Sequence, residues 1–211
     1  MATSVPPVPG PDRPRFAVIL AGGSGRRLGV VDKPALIIHG ESLLARALAA
    51  VEGALTVVVG PLRELGPGIR QTRESPAGGG PAAGLVAGLR VLANEDPDPN
   101  DLVVVLAADL PGIDQQVVAT LGRALTSPGL TGAALTDPSG RLQYLAGIWR
   151  WAPLMAAASS RESWHNGRLS DLLGPLIATV VAADRCATAD IDTPEDLQQW
   201  SASESNPHIR S

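Results

Sequence analysis

Residues 16–33 read FAVILAGGSGRRLGVVDK, an apolar run that leads directly into a glycine-rich turn. The run FAVIL is short and apolar on both faces, which is typical of a strand covered by helices on each side. The turn after it carries several glycines, two arginines and an Asp–Lys pair. Because open α/β sheets bind ligands at the carboxyl ends of their strands, this stretch predicts a binding loop at a sheet edge.

Two later runs have the same character, LTVVV at 55–59 and LVVVLAA at 102–108. Helical patterns alternate with these runs, at 42–52, 81–93 and 114–126. Pro81 suits the first position of its helix, and Asp114 suits an N-cap. The alternation of strand and helix predicts an α/β fold, a Rossmann-like three-layer α/β/α domain with a mostly parallel sheet.

The second half of the chain predicts additions to this sheet. TGAALTD and LQYLAGIWR, joined by PSG, predict a hairpin that inserts an antiparallel strand, and IATVVAA at 177–183 predicts a further strand. Thr193 is predicted to cap a last helix. We expect one domain at residues 15–200. Its flanks at 1–14 and 201–211 are expected to be disordered tails, because they bury too little apolar surface to offset the entropy of ordering.

The composition excludes several classes of function. With 17 basic and 21 acidic side chains the net charge is -4, so we expect no cationic surface for nucleic acid. Aromatic residues make up 3%, which argues against base-stacking platforms. Cys186 is the only cysteine, so an intramolecular disulfide is excluded and a reducing, cytoplasmic location is expected. No apolar stretch approaches the roughly 20 residues of a membrane span.

The glycine-rich turn has the chemistry of a phosphate-binding loop. Glycine lets the backbone approach phosphate oxygens closely, and Arg26, Arg27 and Lys33 add positive charge. A P-loop is excluded, because Lys33 follows an aspartate and precedes a proline. The dinucleotide fingerprint also fails, because its third glycine position holds Leu28.

The turn resembles the signature of the molybdenum cofactor guanylyltransferase family, L-A-G-G, a short spacer, R-M-G and then D-K. Here these motifs are Leu20-Ala21-Gly22-Gly23, Arg27-Leu28-Gly29 and Asp32-Lys33. The likeness continues in the family's order through GGGPAAGLVAGL at 78–89, LAADLP at 106–111, LQYLAGIWR at 142–150 and DIDTPEDL at 190–197. Several ordered motifs are more specific than one, and together they span roughly residues 16–200.

The resemblance implies a nucleotide-diphospho-sugar transferase fold and a Mg²⁺-dependent nucleotidyltransferase. Such an enzyme moves GMP from GTP to the phosphate of the molybdenum-molybdopterin cofactor and releases pyrophosphate. It also implies transient contact with molybdoenzyme maturation proteins. The implied catalytic residues are Arg27, Lys33 and Asp109, with Asp109 as the metal ligand. The implied nucleotide-binding residues are Leu20, Ala21, Gly22, Gly23, Lys33, Gly60, Glu74, Gly80 and Asp109.

One departure from the family concerns the base. Gly60 stands where the family carries an asparagine that contacts the nucleotide, so guanine is inherited from the resemblance alone. A molybdenum cofactor cytidylyltransferase or another small-phosphate nucleotidyltransferase therefore stays open, as does a non-catalytic nucleotide-binding regulatory module. We expect Gly60→Asn to sharpen a guanine preference without a clash, provided that Gly60 has a φ that asparagine can adopt.

Each of the remaining candidates has more than one interpretation. Glu74 is either a nucleoside contact or an exposed surface glutamate. Asp190 and Asp192 replace family asparagines and are candidates for a second Mg²⁺ ligand, a pterin contact or the turn before Thr193. Arg168 is a candidate for an acceptor phosphate or an exposed helix-start arginine. His39 and His165 are expected on the surface or in loops and not as metal ligands. Trp149 and Trp151 are expected to pack or to line the rim of the acceptor cleft and not to stack on bases.

Overall fold

A computed structural model describes residues 12–22, 32–189, 191 and 193–203 of the chain. The strands are β1 (Phe16–Leu20), β2 (Ile37–Ile38), β3 (Glu41–Ser42), β4 (Leu55–Val59), β5 (Arg70–Thr72), β6 (Leu102–Ala107), β7 (Gly132–Thr136), β8 (Leu142–Arg150) and β9 (Thr179–Ala182). The α-helices are α1 (Leu43–Ala50), α2 (Gly80–Leu92), α3 (Gln115–Ala124), α4 (Trp151–Ala158), α5 (Leu169–Leu173), α6 (Arg185–Thr188) and α7 (Pro194–Ser203).

Seven of the strands in the described ranges form one mixed sheet in the order β5-β4-β1-β6-β8-β7-β9. The first four are parallel to one another, and β7 is parallel to β9. Strand β8 is antiparallel to both β6 and β7. The carboxyl ends of β6 and β7 therefore lie at the same edge. The predicted fold, a mostly parallel sheet with an inserted antiparallel strand, is confirmed.

Every side chain of β1 is buried, because helices cover both faces of the sheet. Ala17 and Ile19 face a core built with α1 and α3. Phe16, Val18 and Leu20 face a second core built with α2, α4 and α5. Full burial of a side chain such as Ile19 contributes roughly 1.5–3 kcal/mol. The three layers are thus held together through the strand that leads into the glycine-rich turn.

Small residues bring α2 close to the sheet. A Cβ atom on Gly88 would lie 2.7 Å from Val18 Cγ1 and 3.0 Å from Val59 Cγ2. One turn earlier, a Cβ atom on Gly84 would lie 3.5 Å from Leu20 Cδ2. The helix therefore runs with its first residues at the carboxyl ends of β1 and β4. The two glycines set how closely that end of α2 approaches the site.

The predicted caps at Asp114 and Thr193 agree with the structure, whereas Ser42, predicted inside its helix, is the N-cap of α1, and Pro81 is the second residue of α2 and not the first. The Ser42 and Asp114 side chains accept hydrogen bonds from Ala45 N and Val117 N. Thr193 and Asp196 exchange capping bonds at the start of α7. Helix α7 continues to Ser203, three residues beyond the predicted end of the domain. Residues 1–11 and 204–211 of the predicted tails lie outside the described residues.

Elements without a clear apolar pattern escaped prediction. Strand β5 (RQT) has three half-buried polar residues at the edge of the sheet, so it shows no strand periodicity. Helix α4 (WAPLMAAA) is apolar on most sides, and the predicted β8 ends directly before it. None of the helices within the described ranges is both long and apolar enough to cross a lipid bilayer.

Candidate functional site

The carboxyl ends of β1, β4 and β6 are level with one another. Leu20 pairs with Val59 on one side and with Ala107 on the other. Beyond the strands, Ala21 N donates to Val59 O at 2.8 Å, and Ala108 N donates to Leu20 O at 3.0 Å. The three segments that leave these strands therefore lie side by side. This edge is where an open α/β sheet binds its ligand.

Lys33 and Asp109 meet at this edge. Lys33 begins a short 3₁₀ turn at the exit of the glycine-rich segment, and its Nζ lies 4.0 Å from Asp109 Oδ2. The Lys33 side chain is 12% exposed and that of Asp109 is 29% exposed. Asp109 follows the wholly buried strand β6, so a rigid element fixes its position. The edge thus presents one cation and one carboxylate together, from predicted site residues 76 positions apart.

Arg63 is a site residue that the sequence analysis missed. Its Nη2 donates to Asp32 Oδ1 at 2.6 Å and to Ala21 O at 3.2 Å, and its Nη1 donates to Asp32 Oδ2. The signal was its place four residues after the end of the buried strand β4. Because β4 ends level with β1, a cation there is close to both ends of the glycine-rich segment.

Gly60 adjoins the start of that segment, and the expectation that it tolerates asparagine is wrong. Its N–H donates to Thr72 O at 2.9 Å, and its φ is +153°. A Cβ atom would lie 2.8 Å from Ala21 O and 2.9 Å from Ala21 C. The obstacle is strand backbone, which cannot rotate away as a side chain does. Glycine is required here by close approach as well as by φ.

Glu74 organises the turn before α2. Its Oε1 accepts a hydrogen bond from Gly78 N at 2.9 Å, and Gly80 follows with a φ of +85°. The buried Gly79 accepts a hydrogen bond from Asn166 N at 2.7 Å. Glu74 therefore has a structural contact of its own. Its predicted contact with a nucleoside stays a prediction.

Several predicted site residues lie outside the described residues, namely Gly23, Arg26, Arg27, Asp190 and Asp192. Arg168 is exposed at the N-cap position of α5. His39 is exposed in the turn between β2 and β3. Trp149 and Trp151 pack in the core, with Trp151 5.7 Å from the Phe16 ring. Their interpretation as packing residues is confirmed.

A cavity of about 420 Å³ opens beside the carboxyl end of β7. It is lined by Asp137, Pro138, Ser139, Cys186, Thr188, Ala189, Gln199 and Trp200. Cys186 O is so close to Gly112 that a Cβ atom there would lie 1.9 Å from it. Gly112 is three residues after Asp109, so the wall of this cavity rests on the segment that leaves β6. The cavity and the Lys33–Asp109 pair therefore share one edge of the sheet.

Asp137 stays ionised at the mouth of this cavity. Ser139 Oγ donates to its Oδ1 at 2.6 Å, and Arg141 N donates to the same oxygen at 3.0 Å. The hydrogen bond from Ser139, followed by that from the Arg141 backbone, lowers the pKa of Asp137 from its ordinary value.

Within residues 12–22, 32–189, 191 and 193–203, no group of three His, Cys, Asp or Glu side chains is arranged to hold a metal ion.

Comparisons with known proteins show which family and which fold this chain resembles. The family model described as MobA-like NTP transferase domain matches residues 17–180. Molybdenum cofactor guanylyltransferases from Acidiphilium cryptum and Rhodobacter capsulatus are 34% and 30% identical over 193 and 187 residues. These alignments cover 86% and 85% of this chain and 91% of each relative. Molybdopterin-guanine dinucleotide biosynthesis protein A from Archaeoglobus fulgidus shares the fold, with a TM-score of 0.67 at 19% identity over 90% of this chain and 98% of that one.

Proposed function

The chain belongs to the MobA-like NTP transferase domain family, and from this premise we propose that it transfers GMP from GTP to the phosphate of a molybdopterin-type cofactor. The observation that carries the proposal is the pairing of Lys33 with Asp109, 4.0 Å apart, beside the start of the glycine-rich segment. Members of this family are nucleotidyltransferases. The relatives that are named for guanylyl transfer cover most of this chain, which favours GTP and a molybdopterin acceptor.

The chemistry asks the protein to neutralise negative charge. A phosphate oxygen of the acceptor attacks the α-phosphorus of GTP, a new P–O bond forms, and the bond to pyrophosphate breaks. The Lys33 ammonium supplies a fixed positive charge for the triphosphate. The backbone N–H groups of the glycine-rich segment beyond Ala21 are our candidates for further donors to the same oxygens. The reaction needs no covalent enzyme intermediate, so positioning and charge are the protein's contribution.

Asp109 has the donor chemistry of a Mg²⁺ ligand. Mg²⁺ sites in phosphoryl-transfer enzymes combine one or two carboxylates with substrate phosphates and water, so the Asp109 carboxylate fits such a site. Mg²⁺ bound there would neutralise charge on the triphosphate. Asp190 and Asp192 are our candidates for a second carboxylate ligand.

The cavity beside β7 is the space that we assign to the acceptor. It lies on the same edge as Lys33 and Asp109, on the far side of β6 from the glycine-rich segment. The contact between Cys186 and Gly112 places its wall against the segment that leaves Asp109. An acceptor bound in this cavity would approach the α-phosphorus of GTP from the β7 side of the sheet edge, opposite β4.

Nucleotide binding and turnover test the reaction itself. Titration calorimetry with GTP, CTP, ATP and UTP in Mg²⁺ should show the tightest binding for GTP. Pyrophosphate release should require both GTP and the molybdopterin cofactor. Tighter binding of CTP would instead support a cytidylyltransferase. Binding without any pyrophosphate release would support the non-catalytic module.

Alkylation of Cys186 tests the acceptor cavity. This exposed thiol is the only cysteine in the chain, so a bulky maleimide labels one position. Labelled protein should lose transfer to the acceptor, because the adduct fills the cavity, while its calorimetric affinity for GTP is unchanged. Cys186→Ser treated with the same reagent is the matched control and should keep full transfer. Undiminished transfer after complete labelling would remove the cavity from the acceptor's path.

A further inference from the structure

Arg63 connects the two ends of the glycine-rich segment. Its guanidinium binds both carboxylate oxygens of Asp32 at the exit and the carbonyl of Ala21 at the entry. A bidentate arginine–carboxylate pair is short, directional and stronger than a neutral hydrogen bond. The side chain of Arg63, which is not part of the glycine-rich segment, therefore binds both Ala21 at its start and Asp32 at its end.

The backbone of Arg63 is itself held in place. Its N–H donates to Gln71 Oε1 at 2.9 Å, and its carbonyl accepts from Gln71 Nε2 at 2.8 Å. Gln71 lies on β5 and pairs with Val58 of β4. Arg63 is thus fixed by the sheet through both of its backbone groups.

The Arg63 side chain binds Asp32 and Ala21 in a position that leaves one of its own donors without a hydrogen bond. It is 14% exposed, and its buried Nε has no hydrogen-bond partner among the described residues. Leaving a buried donor unsatisfied is unfavourable. The two carboxylate bonds and the bond to Ala21 therefore determine where the guanidinium lies. A lysine cannot reproduce them, because its ammonium is a single point charge.

We propose that Arg63 is a positioning residue that clamps Asp32 to the end of β1 and so places Lys33 for the triphosphate. Asp32 directly precedes Lys33, so holding its carboxylate fixes the start of the turn that carries the ammonium towards Asp109. The proposal rests on the proposed function only for the identity of the ligand as a triphosphate.

Nucleotide binding tests the clamp through a double-mutant cycle. Arg63→Gln should raise the Kd and KM for GTP about tenfold, with a smaller change in kcat. Arg63→Lys should not restore the affinity. Asp32→Asn should give a similar loss, and the double variant should be no worse than Arg63→Gln, because both substitutions break one interaction. The melting temperature of Asp32→Asn should change little, because the Asp32 side chain is 43% exposed.

Arg15→Gln is the matched control. Arg15 pairs with Asp101 at 2.6 Å and also donates to Glu95 O, but it precedes β1 at the opposite edge of the sheet. Its loss should leave the Kd for GTP unchanged. A general loss of stability would lower binding in both variants, whereas a positioning role affects Arg63 alone.

A second measurement needs no nucleotide. Lys33 is the only lysine in the chain, so reductive ¹³C-methylation gives one lysine NMR signal besides that of the terminal amine. That signal should shift in Arg63→Gln and stay in place in Arg15→Gln. The clamp is overturned if the Lys33 signal does not move in Arg63→Gln. It is also overturned if the parent protein binds GTP and Arg63→Gln binds it with the same affinity. If the parent binds no triphosphate but the signal shifts, the proposed function fails and the clamp stands.

Discussion

Under the proposed function, Lys33 is the side chain on which we expect triphosphate binding to depend most. Its Nζ lies 4.0 Å from Asp109 Oδ2 and only 12% of the side chain is exposed, so little solvent competes with a phosphate there. Lys33→Ala should weaken GTP binding by about 1.5–3 kcal/mol, the usual contribution of a hydrogen bond to a charged group. Titration calorimetry checks this value. Lys33→Arg keeps the charge and should lose less. An alanine variant with parental affinity and a normal fold would show that the ammonium does not contact the nucleotide.

Substitution of Asp109 should lower the rate of transfer without lowering the stability of the fold. Asp109→Asn keeps the shape of the side chain but removes the charge for Mg²⁺, so transfer should fall about a hundredfold or more. The melting temperature without ligand should stay near that of the parent, because the side chain is partly exposed. The rise in melting temperature with GTP should lose most of its Mg²⁺ dependence. Full Mg²⁺-dependent turnover in this variant would place the metal on other carboxylates.

The side chains of the site differ in how far the sequence predicts them. Lys33 and Asp109 follow glycine-rich and strand-end motifs, so their chemistry and their shared edge are readable from the chain. Arg63 stands in the stretch GPLRE, which has no motif, and its role depends on the level ends of β1 and β4. The clash at Gly60 is likewise a property of two neighbouring strands. Such contacts between strands escape any reading of one segment at a time.

Helix α2 depends on a glycine that its sequence pattern does not distinguish from another. A Cβ atom on Gly88 would lie 2.7 Å from Val18 Cγ1, whereas one on Gly84 has its nearest neighbours at 3.5 Å. Gly88→Ala should therefore destabilise the protein by about 1–3 kcal/mol through overpacking. Gly84→Ala should be neutral or stabilise by up to about 1 kcal/mol, since alanine has the higher helix propensity.

Urea unfolding of these two variants gives a matched comparison, because both replace a helical glycine by alanine in one helix. The midpoint should fall for Gly88→Ala and hold or rise for Gly84→Ala, with the same slope. Equal midpoints would mean that α2 moves away from Val18 at no cost. In that case the start of α2 would also be free to move at the site.

Predictability among the helices and strands follows burial. Strands β1 and β6 are wholly apolar, β4 is apolar apart from Thr56, and the cap at Asp114 is a local signal, so these elements are readable. Strand β5 has three half-buried polar residues and gains its place only by pairing with β4. The two-residue strands β2 and β3 are too short for any periodicity. Strands that form only because they pair with a neighbouring strand cannot be predicted from their own sequence pattern.

Across the domain, the order of motifs along the chain predicts the architecture. Alternating strands and helices lead to a parallel sheet, and the hairpin at β7 and β8 accounts for the antiparallel strand. Strand β8 also divides the edge into two parts. The nucleotide candidates leave β1, β4 and β6, whereas the cavity lies beside β7 and β9. The cavity was not predictable, because turns from β7 and from the C-terminal helices close it.

The close approach at Gly60 restricts the paths along which base selectivity can evolve or be engineered. Every other amino acid has a Cβ atom, and that atom alone would meet Ala21 O at 2.8 Å. A library that varies position 60 and is selected for GTP binding should return glycine alone, whereas the same library at Leu62, which is 88% exposed, should return many residues. Recovery of larger residues at 60 would show that the ends of β1 and β4 can part. Descendants of this sequence must otherwise acquire a new base preference at neighbouring loop positions.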